Sequence, residues 1–271
     1  MGFMHKELVY KKYFSDNDEY HTDPNKKKLP LPSSLIFYSN LLRIVLYNNR
    51  FARKNIYDDV RWANSSLDVV KSLERAGIKL HFYGMHNLKK VKPPVIFTSN
   101  HMSTLESMVL PSIIRPVMPV IYVIKEELAN YPLFGPIAKA RDPILVGREN
   151  PREDLVIVLE EGSKKIKEGK SIIIFPQKTR TNYFDPAAFN SLGIKLAKRN
   201  NVPVIPIALI SNAWGNGKFI KEVGKIDPSK EVRIAFGEPI HITGNGSENH
   251  QQVINFIRNK FIEWGKPELV K

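Results

Sequence analysis

One histidine and one acid stand close together where an apolar segment gives way to a predicted helix. His101 follows the run 95–98, and Glu106 lies five positions after the histidine. A histidine in such a turn can act as a general base, and a nearby carboxylate can orient its ring. The same glutamate also forms a capping box with Ser103, in which it bonds only to backbone. With 7 histidines and 27 acids in 271 residues, chance supplies about 7 × 27/271, or about 0.7, such pairs, so this pair alone does not establish catalysis.

Three basic residues directly follow three other apolar segments that are predicted to be strands. They are Lys125 after residues 120–124, Arg148 after 144–146 and Arg180 after 171–175. If these strand ends meet at one edge of a sheet, the three cations converge near His101. Guanidinium groups bind phosphate in a two-pronged geometry and lysine acts as a point charge, so the set predicts a phosphate pocket. Each cation taken alone is more typical of a solvated surface, and only the repeated placement after apolar strands favours a pocket.

Strands and helices alternate along most of the chain, which predicts a mixed, largely parallel α/β sheet covered by helices. The predicted strands are 78–82, 95–98, 120–124, 144–146, 171–175, 202–209 and 232–236. The predicted helices are 33–51, 54–76, one starting at 103–106, 150–169, 185–199 and 251–264. We divide the chain into a polar, loosely held arm (1–32), amphipathic N-terminal helices (33–77) and a main domain (78–271).

The segment 33–51 is amphipathic, with a narrow polar stripe formed by Asn40, Arg43, Tyr47 and Arg50. Apolar side chains cover most of the remaining surface. This pattern fits a helix lying in the membrane interface, with the neighbouring lysines drawn to anionic lipid. It fits a helix packed on the protein itself equally well, and the segment alone does not choose between the two.

The charge and composition narrow the classes of function. A net charge of +14 and a pI near 9.7 predict an anionic partner: nucleic acid, an acidic membrane surface or a phosphorylated small molecule. The absence of cysteine excludes disulfides, thiolate metal sites and cysteine nucleophiles. The sequence has no glycine-rich nucleotide loop, no recognisable nucleic-acid module and no clustered metal ligands. It also lacks an apolar run long enough to predict an ordinary spanning helix.

Four sequence blocks resemble, in order and spacing, those of the glycerolipid acyltransferase family, which includes the 1-acyl-glycerol-3-phosphate acyltransferases. The blocks are Asn100-His101 with Glu106; Lys125-Glu-Glu-Leu128 and Pro132-Leu-Phe-Gly135 with Arg148; Phe175-Pro176 with Thr179-Arg180; and Val202-Pro-Val-Ile-Pro206. Together the blocks span about residues 80–245, and the ordered set is far more specific than any single block. The N-terminal helices also resemble the membrane-docking helices of bacterial members.

The resemblance implies that the main domain is a catalytic domain that transfers a fatty acyl group from acyl-CoA or acyl-carrier protein. The implied acceptor is a lysophospholipid, foremost 1-acyl-glycerol-3-phosphate, which would give phosphatidic acid. His101 would be the general base oriented by Glu106, and Lys125, Arg148 and Arg180 would hold the phosphate. Backbone N–H groups at the helix start are expected to stabilise the oxyanion. No metal or bound cofactor is required, and we expect peripheral, monotopic attachment at the cytoplasmic face of the cell membrane.

Three departures from the family pattern bear on the choice of acceptor. Glu106 stands where aspartate is usual, and the loop Gln177-Lys178-Thr179 has glutamine and lysine where glutamate and glycine are usual. Gln177 keeps a hydrogen-bond acceptor but loses the charge, and Lys178 costs about 1–2 kcal/mol if its position needs a positive φ. Two alternatives therefore stay open. One is an acyltransferase for a different glycerolipid or lysolipid, and the other is a catalytically silent member that binds anionic lipid.

Overall fold

The computed structural model describes residues 13–14, 18–218 and 220–271. In these residues eight strands form one sheet in the order β1-β2-β8-β7-β3-β6-β4-β5. The strands are β1 Tyr20–His21, β2 Leu80–Tyr83, β3 Ile96–Ser99, β4 Val120–Lys125, β5 Ile144–Val146, β6 Ser171–Ile174, β7 Val204–Ile210 and β8 Val232–Phe236. All seven predicted strands are present with small shifts at their ends, and β1 is an addition.

The five strands β7, β3, β6, β4 and β5 run parallel to one another. β8 is antiparallel to β7 and parallel to β2, and β1 is antiparallel to β2. Every residue of β3, β6 and β7 is buried, as expected for central parallel strands covered on both faces. The predicted mixed, largely parallel α/β fold is therefore confirmed. The carboxyl ends of the five parallel strands lie at one edge of the sheet, which we call the active edge.

The described residues form eight α-helices and three short 3₁₀ turns. The helices are α1 Ser33–Arg53, α2 Asp59–Arg75, α3 Leu105–Ile114, α4 Glu126–Ala129, α5 Gly135–Lys139, α6 Pro151–Lys167, α7 Leu192–Asn200 and α8 Ser247–Glu263. The 3₁₀ turns are Met85–Lys89, Pro186–Ala188 and Pro267–Leu269. α1 packs on α2, α2 on α3, and α6 on α7, while α8 packs on β7.

Three predicted helices differ from the structure in their bounds, and the simplest case is the closing helix predicted over 251–264, which already begins at Ser247. The helix predicted over 54–76 begins only at Asp59, because the Asp58 side chain accepts the Arg61 N–H and caps it there. The helix predicted over 185–199 is divided into a 3₁₀ turn and α7. The chain takes an extended conformation at Phe189, whose ring is buried, so the helix cannot continue through this position.

Helix α1 has one face on the protein and another in solvent. Phe37 is buried with its ring edge-on to Trp214 at 4.7 Å, and the Asn49 amide donates to the Leu133 carbonyl at 2.6 Å. The solvent face carries large apolar side chains, with exposed fractions of 57% for Leu35, 52% for Leu42 and 43% for Leu46. The interpretation as a helix packed on the protein is thus confirmed for one face, and membrane docking through the other face stays a prediction. Across the described residues, no helix has the length and apolar character needed to cross a bilayer.

The N-terminal arm is anchored more firmly than its polar composition predicts. Glu74 on α2 is 2% exposed, and its carboxylate accepts hydrogen bonds from Tyr13, Tyr20, Thr22 and Lys26. The buried carboxylate needs these donors to offset its lost hydration, so part of the arm is tied to α2 through Glu74. The division of the chain into an arm, N-terminal helices and a main domain stays a prediction. Residues 1–12 and 15–17 of the arm lie outside the described residues.

Candidate active site

The active edge collects the polar residues that follow the parallel strands. His101 lies just after β3, Gln177 and Arg180 after β6, and Ser211 directly after β7. Lys125 ends β4, and Arg148 follows β5 by two residues. Ligands bind at this end of parallel α/β sheets because the loops there converge above the strand ends.

His101 and Glu106 form a hydrogen-bonded pair. The imidazole Nδ1 lies 2.9 Å from Glu106 Oε1, and the glutamate side chain is fully buried while that of the histidine is 11% exposed. Because a carboxylate can only accept, Nδ1 carries the proton and Nε2 is left as an acceptor. Nε2 has no hydrogen-bond partner among the described residues. The Phe175 ring stacks on the imidazole at 4.3 Å and fixes its plane.

The Glu106 carboxylate is held by a complete set of donors. Oε1 accepts the backbone N–H groups of Met102 at 2.7 Å and Ser103 at 2.9 Å, in addition to the imidazole. Oε2 accepts the Ser211 hydroxyl at 2.6 Å and lies 3.0 Å from the Ser103 hydroxyl. Burial alone would raise the pKa of Glu106, but the hydrogen bond and charge of His101, followed by the bonds from Ser211 and Ser103, outweigh burial and lower it. The carboxylate is therefore ionised at neutral pH.

The expected oxyanion site at the helix start is not available in this arrangement. The N–H groups of Met102 and Ser103 donate to Glu106, and the N–H of Leu105 donates to the Ser103 hydroxyl at 3.1 Å. Glu106 takes these donors because it lies in the first turn of α3, where the backbone N–H groups have no helical acceptor. The prediction that they stabilise an oxyanion is therefore wrong for these three groups.

Gln177 supports the histidine loop from inside the protein. It is 5% exposed, its Oε1 accepts the backbone N–H of His101 at 2.7 Å, and its amide donates to the Thr181 hydroxyl at 3.2 Å. The backbone N–H of Thr181 in turn donates to the His101 carbonyl at 3.0 Å. On the other side, the Asn100 amide bonds both ways to the backbone of Leu209 in β7. The turn that carries the imidazole is thus fixed to β6 and β7 through hydrogen bonds.

The other two residues of the loop Gln177-Lys178-Thr179 lie on the protein surface. Lys178 and Thr179 are exposed, and the Lys221 ammonium approaches the Thr179 hydroxyl at 3.5 Å. Lys178 is not among the residues with positive φ, so its replacement of a glycine carries no left-handed strain. Arg148 does adopt a positive φ of 66°, and its guanidinium donates to the Lys178 carbonyl at 3.3 Å.

The three predicted phosphate-binding cations lie close enough to influence one another. Burial lowers the pKa of Arg148, Asp154 opposes this, and the charge of Arg180 lowers it further. A hydrogen bond to Glu127 raises the pKa of Lys125, and the charge of Arg148 opposes that shift. Arg148 is therefore electrostatically coupled to both other cations. The structure brings all three to the active edge.

Four residues around the site were not predicted as part of it. They are Ser211, which bonds Glu106; Phe175, which stacks on His101; Thr104, whose hydroxyl accepts from Arg180; and Glu222, which bonds Arg180 at 2.6 Å. Ser211 directly follows a buried strand, so the rule that pointed to Lys125 would have found it too. Glu222 lies between Trp214 and Ile226, where the described residues form no helix or extended strand, and no pattern in the sequence marks it.

Comparison with known proteins connects this geometry to a family. Residues 79–210 match the model of the family described as Acyltransferase. A 1-acyl-sn-glycerol-3-phosphate acyltransferase of Pseudomonas aeruginosa is 29% identical over 171 residues, which cover 63% of this chain and 63% of that protein. A probable 1-acyl-sn-glycerol-3-phosphate acyltransferase of Mycoplasma genitalium is 28% identical over 174 residues, covering 62% of this chain and 64% of that protein. The chain thus spans slightly less than two thirds of the length of each relative.

The crystal structure of the 1-acyl-sn-glycerophosphate (LPA) acyltransferase PlsC from Thermotoga maritima has the same fold. It superposes with a TM-score of 0.62 over 86% of this chain and 95% of that chain. The identity between the two is 18%, so this likeness is one of fold. The resemblance indicated by the four sequence blocks is confirmed: residues 79–210 match the Acyltransferase family model, the chain is similar in sequence to 1-acyl-sn-glycerol-3-phosphate acyltransferases, and it shares the fold of the Thermotoga maritima protein.

Proposed function

We propose that the protein transfers a fatty acyl group from acyl-CoA or acyl-carrier protein to the hydroxyl of 1-acyl-glycerol-3-phosphate, giving phosphatidic acid. The observation that carries the proposal is the His101–Glu106 pair, with its 2.9 Å bond and an Nε2 left without a partner among the described residues. The three cations at the same edge support a phosphate-bearing acceptor. The similarity to acyltransferases of this specificity supports the same choice.

In this mechanism His101 Nε2 takes the proton of the acceptor hydroxyl while the hydroxyl oxygen attacks the thioester carbonyl carbon. The carbon–sulfur bond then breaks, and the departing thiolate takes the proton from the imidazolium, leaving an ester and a free thiol. Glu106 stabilises the imidazolium between these two steps, because its carboxylate is ionised and bonds Nδ1 directly. This reaction requires no metal or bound cofactor, because the acyl donor is already an activated thioester.

We further propose that the protein docks peripherally on an anionic membrane surface through α1. The exposed Leu35, Leu42 and Leu46 form an apolar face, and the net charge of +14 attracts anionic lipid. The acceptor is itself a membrane lipid, so docking would place the active edge near its substrate. Loss of vesicle binding on altering this face is the expected result.

The test is acyl transfer by the purified full chain, with lysophosphatidic acid in anionic vesicles and either acyl donor. We expect His101→Ala to lower kcat about 10²- to 10⁴-fold, the usual contribution of a general base. His241→Ala is the matched control, since His241 is exposed and follows Ile240, which pairs with Val204 at the opposite edge of the sheet.

Two results would contradict the proposal. Unchanged activity in His101→Ala would exclude this histidine as the base. If the wild-type chain acylates no lysolipid acceptor yet still binds anionic vesicles, the catalytically silent lipid-binding alternative would be favoured instead.

A further inference from the structure

Arg180 already has an anionic partner at the site where the acceptor phosphate would bind. One of its terminal nitrogens donates to Glu222 at 2.6 Å, and the other donates to the Thr104 hydroxyl. The arginine side chain is 14% exposed and that of the glutamate 27%, so the ion pair is partly shielded from water. A guanidinium binds carboxylate and phosphate through the same fork of N–H groups. A phosphate that binds Arg180 therefore either shares the guanidinium charge with Glu222 or displaces the carboxylate.

The Glu222 carboxylate contacts Arg180 and also acts on a tyrosine that Lys125 and Arg180 influence. Tyr131, between α4 and α5, is influenced by both ends of the ion pair. Burial raises the pKa of Tyr131, the charge of Glu222 raises it further, and the charges of Lys125 and Arg180 oppose this. The carboxylate, two of the cations and the tyrosine thus share one electrostatic environment.

The backbone delivers Glu222 to this position through fixed contacts. The Trp214 indole N–H donates to the Glu222 carbonyl at 3.1 Å, and the N–H of Ile226 donates to the Ser34 hydroxyl at 3.0 Å. The Tyr38 hydroxyl donates to the carbonyl of Gly224. The segment that carries Glu222 is therefore tied to Trp214 at the glutamate itself and to α1 at Gly224 and Ile226.

We propose that Glu222 is a specificity-determining residue that competes with the acceptor phosphate for Arg180. The proposal rests on the proposed function, in which Arg180 contacts that phosphate. A phosphomonoester carries about −1.5 to −2 charges at neutral pH. A phosphodiester carries a single negative charge, so the carboxylate repels it less. Glu222 consequently makes the pocket less selective for phosphomonoester over phosphodiester lysolipids.

The test is Glu222→Gln, which keeps the shape of the side chain and a carbonyl for Arg180 but removes the charge. We expect the KM for 1-acyl-glycerol-3-phosphate to fall about two- to fivefold, from the size of partly exposed ion pairs. The inhibition constant of lysophosphatidylglycerol with the same acyl chain should fall by a smaller factor. Glu238→Gln is the matched control, since Glu238 pairs with Lys90 at 2.6 Å at the opposite edge of the sheet.

Three outcomes would overturn this role for Glu222. A higher KM in Glu222→Gln would show that the carboxylate positions Arg180 and does not compete with phosphate. Equal improvement for the monoester and the diester would exclude discrimination by charge. A gain that persists in an Arg180→Ala background would show that the effect does not pass through Arg180. By contrast, an unchanged acceptor KM in Arg180→Ala alone would contradict the phosphate role in the proposed function.

Discussion

Replacing Glu106 by glutamine separates the charge of this residue from its hydrogen bonds. The N–H groups of Met102 and Ser103 can only donate, so the glutamine oxygen must take the place of Oε1. The amide nitrogen then faces the hydroxyls of Ser103 and Ser211, which can turn to accept. His101 Nδ1–H keeps its acceptor, and the ring keeps the tautomer with Nε2 free. Glu106→Gln therefore tests the negative charge with little change in geometry.

The size of the effect follows from the charge that is lost. Two unit charges about 4 Å apart interact by about 4 kcal/mol at an effective dielectric constant of about 20. This energy corresponds to about a thousandfold in rate. The proton is only partly transferred in the transition state, so we expect kcat to fall about 10²- to 10³-fold. An amide that forced the wrong tautomer would cost about 10⁴-fold.

The assay is kcat for acyl transfer, compared with Ser211→Ala, which removes one donor to Oε2 and keeps the charge. We expect a smaller loss in Ser211→Ala than in Glu106→Gln. A glutamine variant that folds and keeps more than about a third of kcat would show that the carboxylate charge does not assist the base. Far-UV circular dichroism and thermal unfolding verify that each variant folds.

The same variant has a distinct pH dependence of stability. The pKa of Glu106 is lowered in the folded chain from its ordinary value of 4.5. The ionised carboxylate therefore adds stability above about pH 4.5, and this contribution is lost as the pH falls through the folded pKa. The unfolding free energy of the wild type should decline more steeply below pH 4.5 than that of Glu106→Gln. Parallel declines in urea titrations would contradict the lowered pKa.

Two further predictions concern residues outside the catalytic pair. The hydroxyl of Tyr122 is buried with no hydrogen-bond partner among the described residues, so Tyr122→Phe should leave stability unchanged or raise it by about 1–3 kcal/mol in urea unfolding. A clear loss of stability would mean that the hydroxyl does have a partner. Leu42→Glu should weaken sedimentation with anionic vesicles about tenfold or more. Val156→Glu on α6 is the control, because Val156 is 51% exposed and Leu42 is 52% exposed. Equal vesicle binding by the two variants would refute docking through α1.

The sheet was predictable because its strands are short apolar runs that are separated by clear helix starts and stops. Residues 144–146 and 232–236 are strands with the bounds expected from sequence, and α6 begins at Pro151 after the predicted Asn150 cap. β1 escaped prediction because its pairing depends on β2, some 60 residues away, and not on its own pattern. The break at Phe189 has a similar origin, since burial of its ring overrides a local helix signal.

Site residues were predictable where they directly follow strands, because parallel strands bring their carboxyl ends together whatever the loops contain. This pattern placed His101, Lys125, Arg148 and Arg180 at the active edge, and their roles there stay predictions. Glu222 could not be found, since the described residues around it form no helix or extended strand and a contact from Trp214 holds it. Such a residue is located only by long-range packing, which leaves no local periodicity in the sequence.

The reach of the Glu106 side chain makes a capping role compatible with the proposed catalytic role. Oε1 accepts the N–H of Ser103, which is half of a capping box, and the same oxygen accepts Nδ1 of His101. The backbone donors hold the carboxylate still and keep it ionised, and a fixed, ionised acceptor is what orients an imidazole. The capping contacts therefore support the proposed catalytic contact. An acid at the first turn of α3 can bind both the backbone N–H groups and the imidazole, because the turn places these donors on the same side of its carboxylate.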